Sequence, residues 1–275
     1  MSRAPAFLTA ALAWAAGIAG CATAKLTYTP SELRAELART ASKIPPKEIV
    51  VPYEVDEQTI ALTRKLIRYA KSDTDRVRII TDAFSDPEIF GMRYAATVTA
   101  DAEQTLKEKR GNCLALSSAF IAIARAAGLD AFYVDGSVRI HENRYEDNHG
   151  LTIDVGHVSV MIKTADEAIG LDFAKLGRVR WYRVISDLEA LAHFYNNLGS
   201  LYLQTGELPR ALSSFETAQT LEPDASHIHY NLAIARLRLG DRLGAIQALR
   251  QAIDLRRGYA RARLLLDELT QGAAR

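Results

Sequence analysis

The feature that most limits how this chain can fold is a repeat: its last third matches itself at an offset of 34 residues. Asn197 matches Asn231, Leu198 matches Leu232, Leu203 matches Leu237, Gly206 matches Gly240, Ala211 matches Ala245, Ala218 matches Ala252 and Leu221 matches Leu255. Identities this dense in one register are not a chance alignment. A segment repeated at such a period is one supersecondary unit that cannot bury its apolar face alone, so neighbouring copies must stack into a shared core. Two copies are fewer than the roughly three usually needed for stability. The segment Ala260 to Gln271 is therefore expected to form a helix that caps the stack.

The repeated residues, Asn197-Leu198-Gly199-x-x-Tyr202, Gly206 and Ala211-x-x-x-Phe215-x-x-Ala218, resemble the tetratricopeptide repeat over about Phe194 to Tyr259. The second copy departs from that pattern where Pro223 becomes Arg257. The resemblance implies an all-α domain over residues 187–275 whose groove takes a protein or peptide partner.

The rest of the chain needs a core of its own. With 275 residues, 48% hydrophobic and 24% charged, the sequence is globular in composition and long enough for two domains. Its formal net charge of +1 leaves no electrostatic footprint for nucleic acid. The basic tail (Arg250, Arg256, Arg257, Arg261, Arg263) is interrupted by Asp254, Asp267 and Glu268 and reads as a solvated helical face.

Residues 1–24 have the parts of an export signal: Arg3, the apolar run Ala6 to Ile18, then small residues. The run is short for a membrane span. Ile18-Ala19-Gly20-Cys21 resembles the lipobox of bacterial lipoproteins, which implies acylation at Cys21 and a lipid anchor on the envelope membrane facing the periplasm. The alternative is cleavage after Ala22-Thr23-Ala24, which releases a soluble secreted chain beginning at Lys25. By either route Cys113 is left as the single thiol of the mature chain, without an intramolecular disulfide partner and so a candidate reactive group.

Between the signal and the repeats the pattern is helices first and a small sheet after, an α+β arrangement. Residues 25–56 hold a helix and a linker: Thr29-Pro30-Ser31-Glu32 is a capping box that starts a helix running to about Ser42. Helices are expected over about Glu57 to Lys71, after the cap at Ser72 to Asp75, and from Asp101 to the Arg110-Gly111 break. A buried helix should begin at Cys113 and stop at Gly128. Ala131 to Gly136, Val155 to Ile162 and Gly170 to Phe173 read as strands, and Arg139 to Asn148, rich in charge and Asn, as a surface loop.

Cys113 at the first turn of a helix sits where unpaired backbone N–H groups and the helix dipole favour a thiolate. A thiolate nucleophile needs a base beside it and a third group to orient that base. Alternation in Gly156-His157-Val158-Ser159-Val160 puts His157, Ser159 and Met161 on one strand face, and Gly170-Leu171-Asp172-Phe173 supplies a carboxylate. His141 and His149 are rivals to His157 but lie in a polar loop, and Asp154 is a rival to Asp172. The Cys113 N–H is the expected oxyanion donor, with Gln104 as a weak side-chain candidate.

Thr105-Leu106 through Arg110-Gly111-Asn112-Cys113, then Ala126-Ala127-Gly128-Leu129-Asp130-Ala131, Gly156-His157-Val158 and Leu171-Asp172-Phe173 together resemble the transglutaminase-like superfamily, with its papain-like fold. The domain implied covers residues 57–186, with helices packed on a small antiparallel sheet. Carried over position by position, Cys113 becomes the nucleophile, His157 the acid/base and Asp172 the orienting residue. Phe173-Ala174 stands where the family usually has a small polar or proline-rich turn.

No cofactor is implied. His227 and His229 lie two apart on a predicted helix and face different sides, and no glycine-rich phosphate loop is present. The expectation is a cysteine hydrolase or acyl-transferase of peptide or amide bonds in the cell envelope, with the repeats recruiting a protein. The alternative is a non-catalytic envelope scaffold.

Overall fold

The structure, a computed structural model, describes residues 10–11, 25–40, 50–136, 144–146, 152–174 and 182–271. Cys21, His141 and His149 lie outside them. The chain forms two compact units, neither contiguous in sequence: Met1–Leu33, Val50–Val138 and His157–Ala190 make one, and Arg34–Ile49, Arg139–Gly156 and Leu191–Arg275 the other. None of the described helices is long and apolar enough to cross a membrane.

Local signals set most helix starts. At α1 (Pro30–Thr40) the Thr29 N–H donates to Glu32 Oε2 at 2.8 Å and the Glu32 N–H returns to Thr29 Oγ1 at 3.3 Å, a closed capping box. Asp56 caps α2 (Glu57–Ile67), Ser72 caps α3 (Asp73–Ser85) and Asp101 caps α4 (Ala102–Glu108), each accepting the N–H three residues on. The stops are less legible. α4 ends at Glu108, before Arg110-Gly111, because Lys109 adopts the left-handed region at φ 54°. α5 (Cys113–Ala126) is buried at every residue from Cys113 to Ala124, as a helix apolar on all sides must be.

The first unit packs α5 against a five-stranded antiparallel sheet. Its strands are β1 (Ala10–Ala11), β4 (Asp130–Gly136), β7 (Val158–Lys163), β8 (Ala168–Leu171) and β9 (Tyr182–Ile185), in the order β1-β8-β7-β4-β9. A short parallel pair, β2 (Arg93–Tyr94) with β3 (Arg110–Gly111), leads into α5. The edge strand β9 had no sequence signal of its own. Phe84, Phe120 and Phe173 form an aromatic cluster with ring centroids 5.1–5.5 Å apart.

One element of this unit is charged and buried. Arg125 makes two hydrogen bonds to Asp187, at 2.8 and 2.9 Å, and lies over the Tyr53 ring. Asp187 also accepts the Tyr28 N–H at 2.8 Å, which ties the N-terminal segment to the sheet.

The second unit stacks α6 (Asp187–Thr205, from Leu191 onward), α7 (Leu208–Leu221), α8 (Ser226–Arg238), α9 (Arg242–Leu255) and α10 (Ala260–Gln271). Repeat symmetry is visible in the packing. Ala211 and Ala245, and Ala218 and Ala252, are all fully buried. At Gly199 a Cβ would fall 2.7–2.9 Å from the Phe215 ring. The equivalent positions in the second copy hold Ala233 and Leu249, both fully buried, so a small/large pair is traded for a medium pair at similar total volume.

The stretch expected as a surface loop contributes β5 (Arg144–Glu146), paired antiparallel with β6 (Thr152–Asp154). Charge and Asn depress strand propensity there, and burial of Ile153 in the repeat core overrides it.

Candidate active site

Three elements converge on Cys113. Asn112 caps α5: its Oδ1 accepts the Ala115 N–H at 2.9 Å, its Nδ2 donates to Thr99 Oγ1 at 2.8 Å and its own N–H donates to the Val98 carbonyl at 2.7 Å. Both ends of the side chain are therefore bonded, and the first turn of α5 cannot fray. Gly111 is needed beside it, since a Cβ there would lie 2.7 Å from the Ala115 Cβ.

His157 immediately precedes β7 and is fully buried. The Gly136 N–H donates to its carbonyl at 2.8 Å. One turn along α5 from Cys113, Ser117 Oγ donates to the Val158 carbonyl at 3.2 Å, joining the cysteine's helix directly to the histidine's strand. Asp172 lies one residue past the end of β8 rather than on it. Its Oδ2 is 3.1 Å from His157 Nε2 and its Oδ1 accepts the Ala174 N–H at 3.0 Å. Phe173, the residue that departs from the family pattern, is the plug of the aromatic cluster, and its packing against Phe84 and Phe120 fixes the backbone that carries Asp172.

Burial alone would hold His157 neutral. Its hydrogen bond to Asp172, together with the hydrogen-bonding and charge influence of Cys113, outweighs burial and raises its pKa from 6.5 to about 10. With Nε2 engaged by Asp172 and Ser159, Nδ1 is the ring nitrogen left open to Cys113. The structure thus brings Cys113, His157 and Asp172 into one cluster.

The transglutaminase-like superfamily profile matches residues 60–184, and the tetratricopeptide-repeat profile matches residues 192–225 and 226–259. Residues 60–184 are a transglutaminase-like domain. Two tetratricopeptide repeats follow it. No curated protein matches the chain. Among solved structures it is similar to a candidate cysteine protease from Cytophaga hutchinsonii, at 18% identity and a TM-score of 0.34. The match covers 52% of this chain and 49% of that one, so the chain spans about half the length of that structure.

Within the transglutaminase-like domain, two polar residues escaped sequence reasoning as members of the cluster. Ser159 Oγ lies 3.2 Å from His157 Nε2, sharing that nitrogen with Asp172. The alternation that put His157 and Ser159 on one face pointed to this contact without naming it. Ser117 carried no signal beyond its place four residues after Cys113. Gln104 is positioned otherwise than expected: it is exposed on α4, with its amide donating to Glu108 at 2.7 Å. Asp154, the rival carboxylate, is in the other unit, paired with Arg261 at 2.7 Å. Arg261 is accordingly part of a half-buried ion pair rather than of a fully solvated face. His229 bonds to the Pro223 carbonyl and to Gln219. No group of three potential metal ligands occurs among the described residues.

Proposed function

We propose that the transglutaminase-like domain is a cysteine hydrolase or acyl-transferase acting on peptide or amide bonds. The observation that carries this reading is the His157 ring, bonded to Asp172 on one nitrogen and under the influence of Cys113. The Cys113 sulfur, as thiolate, attacks the carbonyl carbon, and the oxygen takes up negative charge beside the Cys113 N–H at the first turn of α5. Collapse breaks the C–N bond as His157 gives its proton to the leaving amine, leaving a thioester on Cys113. Water or a second amine, deprotonated by His157, then displaces the thiolate. Asp172 holds the ring and favours its protonated form.

The domain would work in the cell envelope, with the repeats recruiting a protein partner. We assign the anchor to acylated Cys21, on the strength of the lipobox. Mass spectrometry of the mature N-terminus tests this: a chain beginning at unmodified Lys25 would replace the anchored form with a secreted one.

A second reading, a non-catalytic scaffold, is favoured by one observation: Cys113 is 7% exposed and His157 0%. The two readings part on the alkylation rate of Cys113 by iodoacetamide from about pH 4 to 9, in the mature chain and its His157→Ala variant. A reactive thiol persisting well below the free-thiol pKa of about 8.5, and lost in the variant, is the expected result. An unreactive thiol, indifferent to the variant, would leave the scaffold.

A further inference from the structure

Asp154 is gripped in the second unit by contacts whose chemistry is that of peptide recognition. Asn231 reads its backbone from both sides. The Asp154 N–H donates to Asn231 Oδ1 at 3.0 Å, and Asn231 Nδ2 donates to the Asp154 carbonyl at 2.6 Å. Asn196 Nδ2 donates to the same carbonyl at 3.2 Å, and its Oδ1 accepts from Asn231 Nδ2 at 2.8 Å. A side-chain amide paired with the N–H and C=O of one residue imitates a strand ladder, and accepts an extended segment whatever its sequence.

The side chain is read separately. Arg261 lies 2.7 Å from the Asp154 carboxylate, and the Tyr259 hydroxyl donates to it. Burial and that neighbouring carboxylate push the Tyr259 pKa up, so the hydroxyl stays a donor. Ile153 is fully buried in the repeat core with Tyr230 and Tyr259. Asn196 and Asn231 are both completely buried, and buried amides are tolerated only when bonded. Besides each other, their shared partner is the Asp154 backbone, 42 positions from one and 77 from the other.

We propose that Ile153 and Asp154 are an internal ligand of the repeats, and that the site they fill is a receptor for an extended partner segment carrying an aspartate after a buried aliphatic residue, entered by exchange. The inference rests on the reading of the repeats as the partner-binding part, and is independent of the chemistry at Cys113. A tethered ligand competes at high effective concentration, so an outside segment binds weakly until residues 153–154 let go.

The test uses a fluorescent peptide with the sequence of residues 151–156, and a second peptide with Asn in place of its Asp. Anisotropy is measured with the full chain and with its Asp154→Ala and Asp154→Asn variants, their folding checked by circular dichroism. The Asp154→Ala variant should bind the Asp peptide roughly tenfold or more tighter than the wild-type chain does, because the tethered competitor has lost its carboxylate anchor and keeps only its backbone pairing and Ile153. It should prefer the Asp peptide to the Asn peptide, and Arg261→Ala added to it should erase that preference. If Asp154→Ala does not fold, Asp154→Asn keeps the side-chain shape without the charge and should show the same preference with a smaller gain. Equal binding of the two peptides would overturn the proposal while leaving the repeats a peptide receptor. Folded variants that bind neither would overturn the exchange itself.

Discussion

Two polar clusters, one in each unit, use their side chains differently. In the repeat unit Asn231, Asn196 and Asp154 bond to one another or to neighbours until their capacity is largely used. In the transglutaminase-like unit Asp172 and Ser159 both engage Nε2 of His157, and Nδ1 is left open to the Cys113 thiol. A buried nitrogen is costly unless something engages it, and under the proposed function what engages Nδ1 is proton exchange with the thiol. Saturation marks a place built to hold; a single open position in a rigid surround marks a place built to react.

The largest effect expected from breaking this contrast is at the saturated ion pair of the first unit. Asp187→Ala leaves the largely buried Arg125 guanidinium without its carboxylate and frees the Tyr28 N–H. It should lower stability to urea by about 3–5 kcal/mol. A loss under 1 kcal/mol would mean that water replaces the pair and that the first unit is less closed than described.

A middle-sized effect is expected in the repeats, where Gly199→Ala drives a methyl into the Phe215 ring. Overpacking of this kind should cost about 1–3 kcal/mol. Adding Phe215→Leu recreates the pairing of the second copy and should recover most of the loss, a coupling that a double-mutant cycle reads directly. Additive losses would show that the two copies do not share one packing solution.

The smallest effect is the one that depends on pH. The folded pKa of His157 stands above its unfolded value, so the stability it contributes is full below about 6.5 and is lost as pH rises through about 10. Asp172→Asn removes the main support for the charged ring. Its destabilisation in urea should be of the order of 1 kcal/mol at pH 6 and shrink toward pH 10, and a difference that is flat with pH would remove the charged pair from the account.

What could be read in the sequence follows the range of the forces involved. Thr29, Asp56, Ser72 and Asp101 announce helices because a cap acts over three residues, and the repeat announces itself because its copies solve the same packing problem twice. That Cys113, His157 and Asp172 come together was anticipated from a helix start, a strand alternation and the resemblance to a family, and the last of these supplied the order of all three. Ser159 was visible only as a neighbour on a strand face, and Ser117 only as a helix position. The pairing of Asp154 with Arg261 escaped: their meeting spans 107 residues, and the sequence offered one as a rival to Asp172 and the other as part of a solvated face. Lys109 escaped because a left-handed helix end without glycine has no sequence signature.

The exchange of Gly199 and Phe215 for Ala233 and Leu249 also bears on how the array can change over generations. Duplicated segments invite unequal crossing-over, which joins the front of one copy to the back of the other. A crossover falling between the two paired positions would set an alanine against a phenylalanine in one product, and a glycine against a leucine in the other, giving a collision and a hollow. Crossovers within that interval are thereby penalised, while those outside it leave each pair intact.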